Sequence, residues 1–218
     1  MTHSQFQDDR DAIRGWLVRS LLKASGIWGS GLDTLLTGLR EVIQKSDGTA
    51  FPVEQLSYAM TQRGKSLMFE PAEIDDILEM EYGDRRMFPA LSLLFPFVDL
   101  RNQFHIDHVY PISRFTHARL QRAGFSDDRI EALGVQANAL PNLQLLEGTI
   151  NNEKRATMPA EWLRKFYPDG STRQHYCDKY VLGELPEELT GFSDFHAARR
   201  DQLRTKLVDL LCSPGTSA

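Results

Sequence analysis

Through the first hundred residues, apolar positions recur three and four residues apart, the spacing of helices that bury one face. Start and stop signals divide this stretch into five predicted helices. The first helix begins after Asp9, and the second contains Leu35 and Ile43. The third spans 53–62, the fourth begins at Pro71 and ends at Gly83, and the fifth spans 87–95. The fifth is apolar on nearly every side, which predicts a buried central position. The pattern therefore predicts a helical subdomain over residues 1–100.

The pattern changes after Asn102, where residues 104–110 alternate like a strand that Pro111 ends. A second short strand is predicted over 142–146 and a polar helix over 149–155. Further helices are predicted at 114–123, 127–133, 159–166, 171–182 and 195–211, and residues 213–218 are predicted to form a loose tail. We therefore expect a mostly helical α+β fold, in which subdomains 1–100 and 101–218 form one compact unit.

Composition narrows the class of protein. No apolar run approaches the roughly 20 residues that cross a bilayer, and residues 1–14 lack the apolar centre of a signal peptide. We therefore expect a cytoplasmic protein with no membrane partner. Cys177 and Cys212 are far apart in the sequence, which excludes a disulfide framework and a zinc ribbon.

The net charge of −5 is distributed unevenly. Residues 1–100 hold 10 Lys and Arg against 15 Asp and Glu, whereas residues 101–218 hold 15 of each. The second half therefore does not repel a polyanion. Its segment 154–179 is rich in basic residues, among which we expect Arg155, Arg164, Lys165 and Arg173 to bind nucleic acid.

Three short fragments carry the candidate chemistry: 105–108 with Pro111, 141–146 with Asn142, and 151–154 with Asn151. In this order they resemble the HNH nucleases, whose ββα fold holds one divalent metal ion. The whole chain, including the segment 159–163 with Trp162, resembles the C-terminal module of GmrSD-like modification-dependent restriction enzymes. That module usually follows a DNA-sensing or nucleotide-hydrolysing domain, which this chain does not contain, so we expect an excised domain or a stand-alone relative.

Asp107 and His108 are the central pair. Phosphodiester hydrolysis needs an activated water and a metal ion near the phosphate, and a neutral imidazole with a pKa of about 6.5 can take the proton of water. Neighbouring side chains of a strand converge only where the strand bends, which Pro111 indicates here. The alternative is that Asp107 merely orients a structural His108.

The resemblance implies that Asp107 and Asn151 bind Mg²⁺ or Mn²⁺. It also implies that Asn142 holds the loop of His108 by hydrogen bonds, and Lys154 is one turn after Asn151, where it could hold a phosphate. A shift in helix register would exchange Asn151 and Asn152, and His105 could be an extra ligand, a phosphate contact or, as we favour, a partly exposed strand residue. For Lys154 and Arg155 the alternative is a solvated charge, as it is for the Arg199 and Arg200 pair, which could border a DNA path.

The combined expectation is a Mg²⁺-dependent endonuclease that nicks DNA in a restriction or anti-phage defence system. Cutting both strands would require a homodimer on the duplex. The alternative from another class is a DNA-binding or protein-interaction module with a residual nuclease site. RNA cleavage would use the same catalytic groups.

Overall fold

The computed structural model of the chain describes residues 3–23, 26–98 and 103–212. Backbone contacts divide the chain into two compact units, one formed by residues 1–70 and 209–218 and the other by residues 71–208. The two helices predicted around 71–83 and 87–95 thus belong to the same unit as the strands. The predicted tail, 213–218, is outside the described residues.

The first unit is helical, with α1 (His3–Leu22), α2 (Leu32–Lys45) and α3 (Val53–Thr61). Part of its core is a cluster of six buried residues: Ile27, Leu35, Leu39, Leu56, Met60 and Leu67. Trp16 and Trp28 pack against this cluster, and their two rings meet edge to face with centroids 5.8 Å apart. Both tryptophans therefore serve the core of this unit.

The second unit contains the remaining α-helices and both strands: α4 (Pro71–Leu78), α5 (Met87–Leu94), β1 (Phe104–His108), α6 (His117–Arg122), α7 (Asp127–Asn138), β2 (Leu143–Glu147), α8 (Gly148–Lys154), α9 (Pro159–Phe166), α10 (Gly170–Lys179) and α11 (Phe192–Leu211). The last three residues of α11 belong to the first unit. The strands pair antiparallel, so that Asp107 is opposite Gln144 and His108 is opposite Leu143. The predicted class, a mostly helical α+β fold, is confirmed.

Several predicted element ends differ from the structure, and two of them lie near His108. Helix α4 ends at Leu78, before the predicted Gly83, because the following backbone pairs with the end of α7 and the residues directly after it. Tyr82 N donates to Asn138 O at 2.8 Å, and Leu140 N donates to Met80 O at 3.0 Å. Strand β1 ends at His108, before Tyr110, because Asn142 binds the next two backbone N–H groups. Both changes shape the surroundings of His108.

Among the helices of the described residues, none has both the length and the apolar character that crossing a bilayer requires.

Candidate functional site

The three candidate fragments meet in a strand, strand, helix arrangement. Helix α8 begins directly after β2 and packs against both strands. Gly148 N donates to Gln103 O at 2.8 Å, which ties the start of α8 to the start of β1. Lys154, which lies 47 positions after Asp107 and 46 positions after His108 in the sequence, is thereby brought into contact with both residues.

Asp107 has two polar neighbours on its carboxylate. Lys154 Nζ lies 2.6 Å from Asp107 Oδ2, and Gln144 Nε2 donates to the same oxygen at 3.1 Å. Lys154 also donates to the backbone carbonyl of His108. Within the described residues no hydrogen bond ends on Asp107 Oδ1, so this oxygen is the one that could bind a cation.

Lys154 is only 1% exposed, so the alternative of a solvated charge is wrong for this residue. Burial lowers the pKa of its ammonium group, while the adjacent Asp107 carboxylate raises it. A buried charge needs a partner because desolvation is costly, and Asp107 is that partner. Lys154 thus fixes both the Asp107 side chain and the end of β1, and a contact between Lys154 and phosphate stays a prediction.

Gln144 is a site residue that the sequence reasoning missed. It is 1% exposed, and its Oε1 atom is buried with no hydrogen-bond partner in the described residues. An unpaired buried acceptor is costly, and a bound water or ion is one way in which such an atom is satisfied. The available signal was a glutamine within the apolar run of β2, two residues after Asn142.

His108 is held by residues from two other segments. Its Nε2 atom lies 3.2 Å from Asn138 Oδ1, at the end of α7, and the Tyr82 ring packs on it with centroids 5.0 Å apart. Because Oδ1 can only accept, Nε2 carries the hydrogen and Nδ1 keeps the lone pair. Burial lowers the pKa of His108, so the imidazole is neutral at pH 7.

Tyr82 and Asn138 are also residues that sequence reasoning missed. They approach His108 because their backbones pair although they are 56 positions apart in the sequence, and no local pattern indicates such a pairing. Asp107 and His108 therefore have different neighbours, β2 and α8 for Asp107, and α7 with the segment after α4 for His108. The charges of Asp107 and Lys154 nevertheless both act on the pKa of His108.

Asn142 is fully buried, and its side chain makes three hydrogen bonds. Its Oδ1 accepts from Tyr110 N at 2.9 Å, and its Nδ2 donates to Tyr110 O at 3.0 Å and Ala137 O at 2.8 Å. The side chain thus replaces a strand partner for the residue two positions after His108. In this structure Asn142 binds the loop that follows β1, the position that the resemblance implies.

Arg199 supports the same region from α11, and the alternatives of a DNA path or a solvated face are wrong for it. It is 1% exposed and donates to three backbone carbonyls, which are Pro141 O at 2.7 Å, Val181 O at 3.0 Å and Tyr180 O at 3.1 Å. Burial lowers its pKa to about 9. Arg200 instead forms surface ion pairs with Asp75 and Glu79.

The two asparagines of α8 differ in burial. Asn151 is half-buried and lies three residues before the buried Lys154, on the same side of the helix, whereas Asn152 is exposed. This favours Asn151 as the residue that faces the strands. His105 is exposed, as favoured from the sequence. Its imidazole lies close to Gly148, where a Cβ atom would come within 3.3 Å of His105 Nε2.

Most of the basic side chains in segment 154–179 already have partners within the protein. Their partners are Asp107 for Lys154, Glu187 for Arg164, the Tyr167 and Pro168 carbonyls for Arg173, and the Phe97 ring for Lys179. Arg155 and Lys165 are exposed and form no ion pair within the described residues. Within the described part of the chain a carboxylate balances the charge of Lys154 and of Arg164, whereas Arg155, Lys165, Arg173 and Lys179 keep their positive charge.

The oxygen donors suit a hard cation better than a soft one. Asp107 and Asn151 offer a carboxylate and an amide oxygen, ligands that Mg²⁺ prefers, and Gln144 has a buried Oε1 without a hydrogen-bond partner in the described residues while its Nε2 donates to Asp107. Among the described residues no three His, Cys, Asp or Glu side chains form a group that could hold a metal ion, so amide oxygens would have to be among the ligands. The donor set thus fits Mg²⁺ or Mn²⁺ with most ligands supplied by water and substrate.

No model of a known protein family matches this chain, and no curated protein matches it either. The geometry around Asp107 and His108 is therefore the basis on which a function can be proposed.

Proposed function

We propose that the protein is a Mg²⁺-dependent endonuclease of the HNH type that hydrolyses phosphodiester bonds of DNA. The observation that carries the proposal is the joining of three distant fragments at one carboxylate: Asp107 of β1, Gln144 of β2 and Lys154 of α8 are in direct contact. His108 is the next residue on β1, and its imidazole is neutral and oriented. A base next to a cation site is the combination that phosphodiester hydrolysis needs.

Asp107 and Asn151 would hold the metal ion, which when bound would neutralise charge on the phosphate and on the departing 3′ oxygen. His108 Nδ1 takes a proton from water, and the resulting hydroxide attacks phosphorus in line. The P–O3′ bond breaks, so the products are a 5′ phosphate and a 3′ hydroxyl that takes a proton from solvent. Asn138 holds the ring so that Nδ1 is the basic atom.

The finer proposal is that the chain is the nuclease part of a modification-dependent restriction or anti-phage defence system. It rests on the resemblance alone. Such a system would join this chain to a DNA-sensing or nucleotide-hydrolysing domain, which would choose the site. A single centre of this kind cuts one strand, so we expect nicks unless two protomers act on the same duplex.

Removal of the metal tests the central proposal. Nicking of supercoiled plasmid is expected to stop in EDTA and to return when Mg²⁺ or Mn²⁺ is added in excess, because the ion supplies the charge that the developing oxyanions need. Agarose gels of supercoiled and nicked plasmid measure the effect. Nicking that continues undiminished in EDTA would contradict it, and a parallel digest of RNA would show whether DNA is the preferred polymer.

A second prediction concerns Asn138. Its replacement by alanine is expected to slow nicking by about tenfold or more, because the imidazole loses the acceptor that fixes its orientation. The rate at saturating plasmid measures this, and Val135→Ala, an exposed position on the same helix, is the control. Equal rates for the wild type and Asn138→Ala would show that the His108–Asn138 contact has no role in turnover.

One observation favours a second candidate function, a DNA-binding module with a residual nuclease site. Lys154 already neutralises Asp107 in a buried ion pair, and this ammonium competes with a divalent cation for the same carboxylate. Unchanged DNA binding without nicking, at any Mg²⁺ or Mn²⁺ concentration, would favour the module.

A further inference from the structure

Arg155 has a backbone conformation that L-amino acids rarely adopt. Its φ is 48° and its ψ is −130°, values typical of glycine. Lys154 O accepts from Thr157 N at 3.1 Å, which closes a four-residue turn with Arg155 as its second residue. This is the position that glycine favours in type II′ turns. Glycine would therefore fit better here than arginine.

The contacts on both sides of Arg155 hold the strained turn. On one side, Lys154 is fixed by Asp107 and by the His108 carbonyl. On the other side, Ala156 O accepts two hydrogen bonds from Arg114, from Nε at 3.1 Å and from Nη2 at 2.9 Å. These contacts oppose relaxation of the backbone, and strained residues that persist in this way are concentrated at functional sites.

The side chain of Arg155 keeps most of its hydrogen-bonding capacity. It is exposed, and its Nε donates to Asn152 O at 3.2 Å. Within the described residues its two terminal NH₂ groups make no hydrogen bond. A guanidinium presents these groups as a planar fork that matches two oxygens of a phosphate.

We infer that Arg155 binds a backbone phosphate of the nucleic-acid strand, adjacent to the phosphate that is cleaved. The inference rests on the proposed function, since it places the substrate strand at the site of Asp107. Arg155 directly follows Lys154, the partner of Asp107, and its side chain is exposed to solvent. The role is that of a phosphate-binding residue, which trades stability of the turn for contact with the polyanion.

The test is Arg155→Gly, a variant that removes the charge and also relieves the strain. Binding to a short labelled DNA duplex is measured in EDTA, between about 50 and 200 mM salt. The affinity is expected to fall about tenfold, and the slope of log K against log salt should become shallower by about 0.9, the value for one phosphate contact. The melting temperature is expected to hold or rise, since glycine adopts this conformation freely.

Three variants serve as controls. Arg155→Lys keeps the charge and should retain the slope. Val181→Gly removes the other non-glycine residue with positive φ among the described residues, 54°, and should leave the slope unchanged. Arg122→Ala removes an exposed arginine whose Nε likewise donates to a carbonyl of its own helix, Ala118 O at 2.9 Å, and should also leave it unchanged.

An unchanged slope and affinity for Arg155→Gly, or a wild type that does not bind DNA, would overturn the inference. Nicking in Mg²⁺ is measured in parallel to separate this from the proposed function. A wild type that nicks, with an Arg155→Gly variant of unchanged slope, refutes only the role of Arg155. A wild type that binds DNA through Arg155 but never nicks refutes the nuclease and leaves the phosphate contact.

Discussion

Replacement of His108 by alanine is expected to lower the rate of plasmid nicking by about 10² to 10⁴-fold, the usual contribution of a general base. The imidazole is the group that takes the proton of water, and neither Asn138 nor Tyr82 can do so in its place. The backbone carbonyl of His108, which binds Lys154, is present in any variant. The fold around Asp107 should therefore persist, and circular dichroism with thermal melting would show this.

The matched control for His108→Ala is His117→Ala. His117 has an exposed side chain and pairs with Asp127 on the surface, so its loss should leave nicking unchanged. A His108→Ala variant that is folded and nicks at the wild-type rate would remove the proposed base. Loss of nicking together with loss of the folded state would instead assign His108 a structural role.

The order of elements around the site could be predicted from the sequence because its signals are local. Alternation over 104–108, the proline at position 111 and the apolar run after Asn142 each reflect the conformation of a few neighbouring residues. The strand pairing then follows, since two strands that lack other partners in the described residues form the sheet. The mostly helical α+β class was predictable for the same reason.

The environment of individual side chains could not be predicted in this way. Periodicity places Lys154 on the same side of α8 as Asn151, but it does not reveal that this side faces the strands. The same limit applies to Arg199, because an arginine on a helix has the same local pattern whether it is solvated or bound to three carbonyls. Both residues are buried because of partners far away in the sequence.

The Asp107–Lys154 pair should give the largest effect on stability. Lys154→Met is expected to lower the free energy of unfolding by about 3 to 5 kcal/mol, because the 13% exposed Asp107 side chain is left without its partner charge. Asp107→Asn should be similarly costly, since it leaves the ammonium of Lys154 buried alone. Urea denaturation of both single variants and of the double variant measures these changes.

The double variant, Asp107→Asn with Lys154→Met, should be more stable than the sum of the two single losses predicts, because neither charge then remains unpaired. Strictly additive losses would contradict a direct pairing of the two charges. All three variants should fail to nick, since each lacks Asp107 or the residue that holds it. The double variant would then recover part of the stability but none of the nicking activity.

Mg²⁺ connects this pair to the proposed chemistry. In Lys154→Met the carboxylate of Asp107 has lost its ammonium partner, so Mg²⁺ should raise the melting temperature of this variant more than that of the wild type. In Asp107→Asn the ion should have little effect. If Mg²⁺ shifts the melting temperature of the wild type, Lys154→Met and Asp107→Asn equally, the ion binds elsewhere. Asp107 would then be a structural partner of Lys154 and not a metal ligand.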